Sequence, residues 1–570
     1  MAGPGSEFVP LVVVGERAAY LRAGMPCAGS ARDVLAEVAR VEAAGGPRWV
    51  VPSAQASLAP LVADGLPVAR TWDLAEAHRL LHGGWAAHPA VVHATLAGLP
   101  LDGIPRDREA DLFDLPADPL DDTRPDDPVG PGGYLRPEAL TLGWADRDSR
   151  LVALARLVGD LAATQQQRMA QLGPRAVATA YSESAAAVLC LELERDGLPI
   201  DRARAQELVE RAAGPRPTSE ADATRIRAER DARVLRHAPG RRADLRNPAQ
   251  VKDLLAAAGV EVATTRKWVL EPYRATHPLV AALLEWRKDE RIATTYGYRW
   301  LDEHVGPDDR LRGAWTACDG AAGRMTAQAG LHNLPAALRP AVAAHPGHVF
   351  VRADLGQIEP RVLAAVSGDP AFAEATLADD LYAPVAAKLR VERAVAKVAV
   401  LAAMYGQRSG AAGEALRDLQ RAYPVAMGLL DDAYAAGLAR RPLRTFGGRL
   451  IRLDQALAPE PGVPAGEGWD AARGRFARNA IIQGAAAELF KAWAATVRHE
   501  LVPLGGQIVL CLHDELLVHV RAEQADAAAE VVHRALADSS RRWVAAGPGA
   551  VPVRFVADVC VVHRWDEAKG

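Results

Sequence analysis

Cysteine is scarce and scattered. Cys27, Cys190, Cys318, Cys511 and Cys560 show no Cys-x-x-Cys spacing. That argues against a zinc site and against a disulfide framework, and it suits the reducing cytoplasm. Long hydrophobic runs are missing too. None approaches the roughly 18 residues that a membrane helix requires. Met1–Phe8 lacks the basic and long apolar regions of a signal peptide. Positive charge is also short. The formal net charge is −4, an unpromising value for a chain that would grip a polyanion. Its distribution is uneven, however. Arg195–Trp300 holds 21 Lys and Arg against 15 Asp and Glu, while Asp102–Asp127 holds 10 acids against 3 arginines. A basic surface can hide behind an acidic total. A solvated helical face would give the same count.

What is present is a globular composition, with 49% hydrophobic and 24% charged residues over 570 positions. That length predicts several domains. Residues 9–100 alternate short apolar runs (Val9–Val14, Trp49–Val51) with helical stretches such as Ala31–Ala44, which predicts a small α/β domain. Residues 102–136 are rich in Asp, Pro and Gly and read as an acidic loop or linker. Helical periodicity returns over Leu140–Arg175, and a boundary is expected near residue 182. Beyond it, Gly197 would stop one helix and Asn247-Pro248 would start another. His277–Leu301 is amphipathic and carries Arg287, Lys288 and Arg291.

Three stretches carry the chemistry. In His348–Pro370, the run Val349–Val351 reads as a buried strand that delivers Asp354, with a helical pattern from Arg361. Such an Asp is more often a cap for the next helix. In Arg393–Gly406, residues Arg393, Lys397, Leu401 and Tyr405 recur every four positions and share a helix face. Two cations there can hold a triphosphate, and an ordinary amphipathic helix would show the same stripe. Val509–Val520 alternates around His513-Asp514-Glu515 and reads as a hairpin. If its strands neighbour that of Asp354, the two aspartates can hold a pair of Mg²⁺ ions about 4 Å apart for in-line phosphoryl transfer. His513 has no second His or Cys at zinc-ligand spacing.

Asp354-Leu355-Gly356-Gln357-Ile358-Glu359-Pro360-Arg361 resembles the first palm motif of DNA polymerase family A, Asp-Tyr-Ser-Gln-Ile-Glu-Leu-Arg. The resemblance continues in order over residues 185–570. Gly323-Arg324-Met325-Thr326 and Leu331-His332-Asn333-Leu334-Pro335 are similar to family segments that contact primer–template. Arg393–Gly406 keeps Arg393, Lys397, Tyr405 and Gly406 of the nucleotide-binding helix. Arg444–Arg449 and Asn479, Gln483, Gly484 match further segments. Departures fall at Leu355, Gly356, Pro360, Tyr382, Leu401 and Ala402. Upstream, Thr71–Leu81 and Trp144–Asp148 resemble the second and third motifs of the family's 3′→5′ exonuclease domain. The Asp-x-Glu of its first motif is absent around Val12–Glu16.

The resemblance implies an α/β multidomain chain. A degenerate 3′→5′ exonuclease-like domain of ribonuclease H-like fold (1–184) precedes a right-hand polymerase domain (185–570). Within it, 185–305 form the thumb, 306–370 and 440–570 the palm, and 371–439 the fingers. No 5′-nuclease domain is expected. The implied reaction is template-directed addition of deoxynucleotides to a primer 3′-hydroxyl, without proofreading. Asp354 and Asp514 would bind two Mg²⁺ ions, for which Mn²⁺ can substitute. Glu515 and Lys397 would complete the catalytic set. Arg393, Lys397, Leu401, Tyr405, Glu359 and Gln357 would face the incoming dNTP. Arg324, Asn333, Gln483, His513, Asn479 and Arg475 would touch DNA, Gln483 through minor-groove acceptors common to all base pairs. The implied partners are primer–template DNA and dNTPs, with no membrane. A monomer in the bacterial cytoplasm, associated with the nucleoid, is expected. Two other readings are a polymerase-shaped DNA-binding protein of weak catalysis and a nuclease working from residues 9–184.

Overall fold

A computed structural model describes residues 7–105, 126–406, 413–454, 467–544 and 552–568. The chain forms two compact units. The first comprises Met1–Asp196, Ala314–Thr326 and Val351–Val561, the second Gly197–Gly313, Ala327–Phe350 and Val562–Gly570.

The first unit opens with a five-stranded sheet. Its order is Met25–Ser30, Arg17–Arg22, Phe8–Val14, Arg48–Val51, Thr71–Asp73. The first three strands are antiparallel neighbours and the last two join in parallel. Both faces of the sheet are covered, and the period-two alternation of a strand divides its residues between them. Val9 and Leu11 enter one core with Val34, Val38 and Trp49, while Val12 and Val14 enter the other with Trp72, Leu154 and Val158. Ser30 caps the helix Ala31–Ala43 by accepting from the Asp33 amide.

Residues 126–136, which composition suggests are part of a loose linker, are instead held in place. Val129 bridges Leu135, and Leu135 is buried in the core. Asp126 accepts from Arg150 Nε at 2.7 Å. The remainder of that acidic segment, 106–125, lies outside the described residues.

The helix Pro174–Asp196 runs unbroken through residue 184, where the sequence suggests a boundary. It stops at Gly197, whose φ of 66° is left-handed. By length and composition this helix could cross a membrane, which corrects the expectation that no apolar run is long enough. Two thirds (67%) of its apolar window is buried inside the protein, as in a core helix. Glu183 on this helix is fully buried and pairs with Lys491 and, at 2.7 Å, with Arg449. Burial would raise the Glu183 carboxyl, but the two cations overcome it and hold the group below its ordinary value.

A four-stranded sheet follows, in the order Gln507–Leu512, Glu515–Arg521, His348–Leu355, Ala557–Val562. The long helix Glu467–Glu500 and the helix Ala525–Val544 accompany it, joined where Trp493 Nε1 donates to the Val532 carbonyl at 3.1 Å. The helices between residues 358 and 438 are tied by two buried side chains. One Asp369 oxygen accepts from the amides of Ala371 and Phe372, and the other from Val425 and Ala426, so one carboxylate caps two helices. Arg361 donates to five carbonyls, those of Gly356, Thr376, Ala378, Asp379 and Arg554, at 2.6–3.1 Å.

The second unit is helical: Arg202–Ala213, Glu220–Leu235, Pro248–Ala257, Pro278–Thr295 and Tyr298–His304. Asn247 caps the third by accepting from the Ala249 and Gln250 amides. Its core gathers Val234, Val251, Leu254, Leu255, Leu279 and Leu283.

Candidate active site

The strand His348–Leu355 lies beside Glu515–Arg521, not beside Gln507–Leu512. The hairpin turn is His513-Asp514, and Glu515 already begins the return strand. His513 has φ 39°, a left-handed geometry that a two-residue turn demands. The Leu355 amide donates to the Asp514 carbonyl at 2.8 Å, which brings the two aspartates to one end of the sheet. Burial pushes the Asp514 carboxyl up to about 6, and the neighbouring charges of Asp354, Glu515 and Glu359 add to the rise. Asp354 is also raised by burial, although Arg352 draws it back. Two carboxylates, one of them raised by the charge of the other, set oxygen donors at this end of the sheet, the donor chemistry a divalent cation fits. Among the described residues, no three His, Cys, Asp or Glu side chains stand together as a metal cluster. Glu515 stands beside the pair. It is buried and its Oε1 accepts from Arg352 Nε at 2.8 Å.

Glu359, Arg324, Tyr405 and His513 are linked to this pair by charge and hydrogen bonds. Glu359 opens the helix Ile358–Ser367, which starts three residues before the sequence pattern suggests. Its carboxylate takes Arg324 Nη2 at 3.3 Å on one oxygen and the Tyr405 hydroxyl at 3.3 Å on the other. Burial raises it against the pull of Arg324. Burial, and the charge of Arg324, push His513 below its ordinary value. Arg475, Asn479 and Gln483 recur every four residues along Glu467–Glu500 and are exposed or half-buried, while Ala477, Ala480 and Ile482 behind them are buried. Tyr405 is 40% exposed at the end of the helix Arg393–Tyr405.

Other expected residues are placed differently. Gln357 has both ends of its amide engaged. Its Nε2 donates to Asp380 at 2.7 Å, and its Oε1 accepts from the Leu381 amide at 2.8 Å. Its backbone is left-handed, with φ 57°. It therefore pins a loop rather than facing outward. Arg393 is exposed but paired to Asp380, with its guanidinium over the Tyr382 ring at 5.8 Å. Lys397 is exposed and Leu401 half-buried on the same face. Asn333 lies in the second unit, where its carbonyl accepts from Arg291 Nη2 and the Tyr296 hydroxyl, both at 2.8 Å. In that unit Arg287 donates to the Thr265 carbonyl and Lys288 pairs with Glu285. The cations singled out from the sequence are thus engaged internally. Arg241, Arg242, Lys252, Arg266 and Lys267 are exposed, and Trp268 is 71% exposed.

The N-terminal carboxylates Asp73 and Asp148 are engaged by the protein itself. Asp73 is buried, and its oxygens accept from the Ala54 amide at 2.7 Å and the Glu76 amide at 3.0 Å. Asp148 is exposed and paired with Arg17. The sequence reading passed over Arg352. Its position two residues before Asp354 on a strand, hence on the same face, was the available signal.

Comparison with known proteins gives a consistent picture. Residues 220–567 match the family model of DNA polymerase family A. DNA polymerase I of Chloroflexus aurantiacus is 29% identical over 333 residues, covering 52% of this chain and 33% of that protein. The thermostable DNA polymerase I of Thermus filiformis is 27% identical over 339 residues, covering 54% of this chain and 38% of its own. The matches thus span about a third of these relatives' length. Among solved structures, the polymerase domain of Pol1 from M. smegmatis, in complex with DNA primer-template and dNTP, superposes with a TM-score of 0.68. That match covers 99% of this chain and 96% of that one, at 21% identity, and shows a shared fold.

Proposed function

The chain belongs to DNA polymerase family A, and we propose that it is a DNA-directed DNA polymerase that adds deoxynucleotides to a primer 3′-hydroxyl on a template. The observation that carries this reading is the Asp354–Asp514 pair at one end of a sheet, each raised by burial and Asp514 also by the charge of Asp354. These two side chains would hold divalent cations, Mg²⁺ or Mn²⁺. Such ions, when bound, lower the cost of forming the attacking alkoxide and neutralise charge on the transferring phosphoryl group.

The chain's own residues do the rest. Lys397 and Arg393 take the triphosphate, Arg393 by exchanging Asp380 for phosphate, and both neutralise charge on the departing pyrophosphate. Glu359 forms the wall under the sugar. Leu401 packs over it. Tyr405 stands against the templating base. Arg324, Gln483, Asn479, Arg475 and His513 line the path of the primer–template, and Asn333 is a further residue that would touch DNA. The exposed cations Arg241, Arg242, Lys252, Arg266 and Lys267 hold duplex phosphates, a contact that carries no sequence information.

We infer that residues 1–184 are a ribonuclease H-like exonuclease fold without proofreading. Three antiparallel strands continued by two parallel ones support the fold. The bonding of Asp73 to backbone amides and the pairing of Asp148 with Arg17 support the loss of activity. Extension of a labelled primer with Mg²⁺ and four dNTPs, run beside a 3′-mismatched primer without dNTPs, tests both. Extension without shortening is expected. Duplex binding with no extension would make the protein a DNA-binding relative, and Mg²⁺-dependent shortening would restore the nuclease.

A further inference from the structure

Side chains two residues apart on a strand share a face, so Arg352 stands beside Asp354 on His348–Leu355. Its guanidinium is buried, with the residue 5% exposed. Nε donates to Glu515 Oε1 at 2.8 Å and Nη2 to Asp354 Oδ2 at 2.7 Å. Nη1 lies 3.6 Å from Asp558 on the adjoining strand Ala557–Val562. The carboxylates of this end of the sheet therefore already hold a cation, and one that cannot lose its proton at any working pH.

Resting on the reading of Asp354 and Asp514 as the metal-binding pair, we propose that Arg352 is a resident counter-ion, which a divalent cation must displace from Asp354. Arg352 thereby sets how much metal this palm requires. Two physical effects act in the same direction. The hydrogen bond from Nη2 occupies the Asp354 oxygen and must be broken. The guanidinium charge then remains nearby and repels an incoming dication at short range in a partly buried site. Glu515, spent on the same guanidinium, is withdrawn from the donor set. Without metal, Arg352 holds together acids that would otherwise repel one another.

Direct metal binding tests this with no activity in the readout. Mn²⁺ alone is added to the full chain and the free ion is followed by electron paramagnetic resonance. The proteins are the unaltered chain, Asp354→Asn, Arg352→Gln and Arg352→Lys. Arg352→Gln should bind Mn²⁺ about tenfold more tightly, or better, as the removal of one near charge predicts. Arg352→Lys, which keeps the charge, should stay close to the unaltered protein, and Asp354→Asn should lose the site. Equal or weaker binding by Arg352→Gln, with loss in Asp354→Asn, overturns the competition and leaves the metal pair standing. Binding indifferent to Asp354→Asn, or absent from all four proteins, overturns the metal pair itself and this inference with it. Should Arg352→Gln not fold, crystals of the unaltered protein soaked in Mn²⁺ decide. An anomalous peak at Asp354 with Arg352 swung away supports displacement, and a peak with the Arg352–Asp354 bond intact overturns it.

Discussion

Asp73 ends one strand and Asp354 stands one residue before the end of another in the same compact unit, and their surroundings send them in opposite directions. After Asp73 a helix begins at once, at Leu74, so the amide of Glu76 is within reach and the carboxylate becomes a cap, 2% exposed. After Asp354 come Leu355, Gly356 and Gln357, and the left-handed Gln357 delays the helix to Ile358. Among the described residues, no helix amide donates to the carboxylate. It turns instead to Arg352 and to the side of Asp514. An aspartate at a strand end is not a site by virtue of its type. The length of chain before the next helix decides whether backbone or ligand receives it.

Six substitutions would break or sharpen that contrast. The largest effect is expected from Asp354→Asn or Asp514→Asn. Nucleotide addition should fall by about a thousandfold, the scale of losing one preorganised charge-stabilising group, while duplex affinity measured by anisotropy holds. Asp73→Asn should leave the extension rate unchanged, so equal losses at Asp73 and Asp354 would erase the distinction.

Next comes Glu359→Ala. It removes the side chain proposed to wall the sugar, together with its contacts to Arg324 and Tyr405. Ribonucleotide exclusion should relax by about tenfold or more, a difference of about 1.4 kcal/mol, read as the ratio of steady-state dNTP to rNTP incorporation. An unchanged ratio would remove Glu359 from the sugar pocket.

Asp73→Ala should cost about 1–3 kcal/mol of stability by chemical denaturation, because buried amide donors lose their acceptor, with catalysis per folded molecule intact. The smallest effect concerns Glu76, next to that cap. Burial pushes its carboxyl up to about 7, with Arg79 opposing and Asp73 adding to the rise. A raised carboxyl binds its proton more tightly folded than unfolded. The stability it contributes is complete below the unfolded value and is lost as pH rises through about 7. Glu76→Gln should therefore flatten the fall in Tm between pH 5 and 8.

Much of this was legible in the sequence because it depends on local pattern. The hairpin around His513-Asp514, the helix Arg393–Tyr405 and the Asn247 cap follow from alternation, four-residue recurrence and capping chemistry. What escaped depends on contacts between distant residues. Gln357 reads as an outward-facing amide until Asp380 and the Leu381 amide, more than twenty residues on, close over it. Arg352 reads as a strand residue until Glu515, 163 positions away, supplies its partner. Residues 126–136 look too polar to pack, yet one leucine, Leu135, reaches the core and carries its neighbours with it. The apolar helix Pro174–Asp196 was missed for another reason: its Glu183 interrupts the run in one dimension, while in three dimensions Lys491 and Arg449 cancel the charge.

That last pairing bears on how such a chain can change over generations. Lys491 and Arg449 belong to the part that would synthesise DNA, and their shared counter-charge comes from the N-terminal part. A deletion that removed the helix bearing Glu183 would strand two cations in a dry interior, and breaking a buried pair by losing one partner costs about 3–5 kcal/mol. The helix bearing Glu183 can thus be kept by selection for this charge alone, because trimming it away would destabilise its neighbour. Drift at position 183 is the change that this pairing does not tolerate.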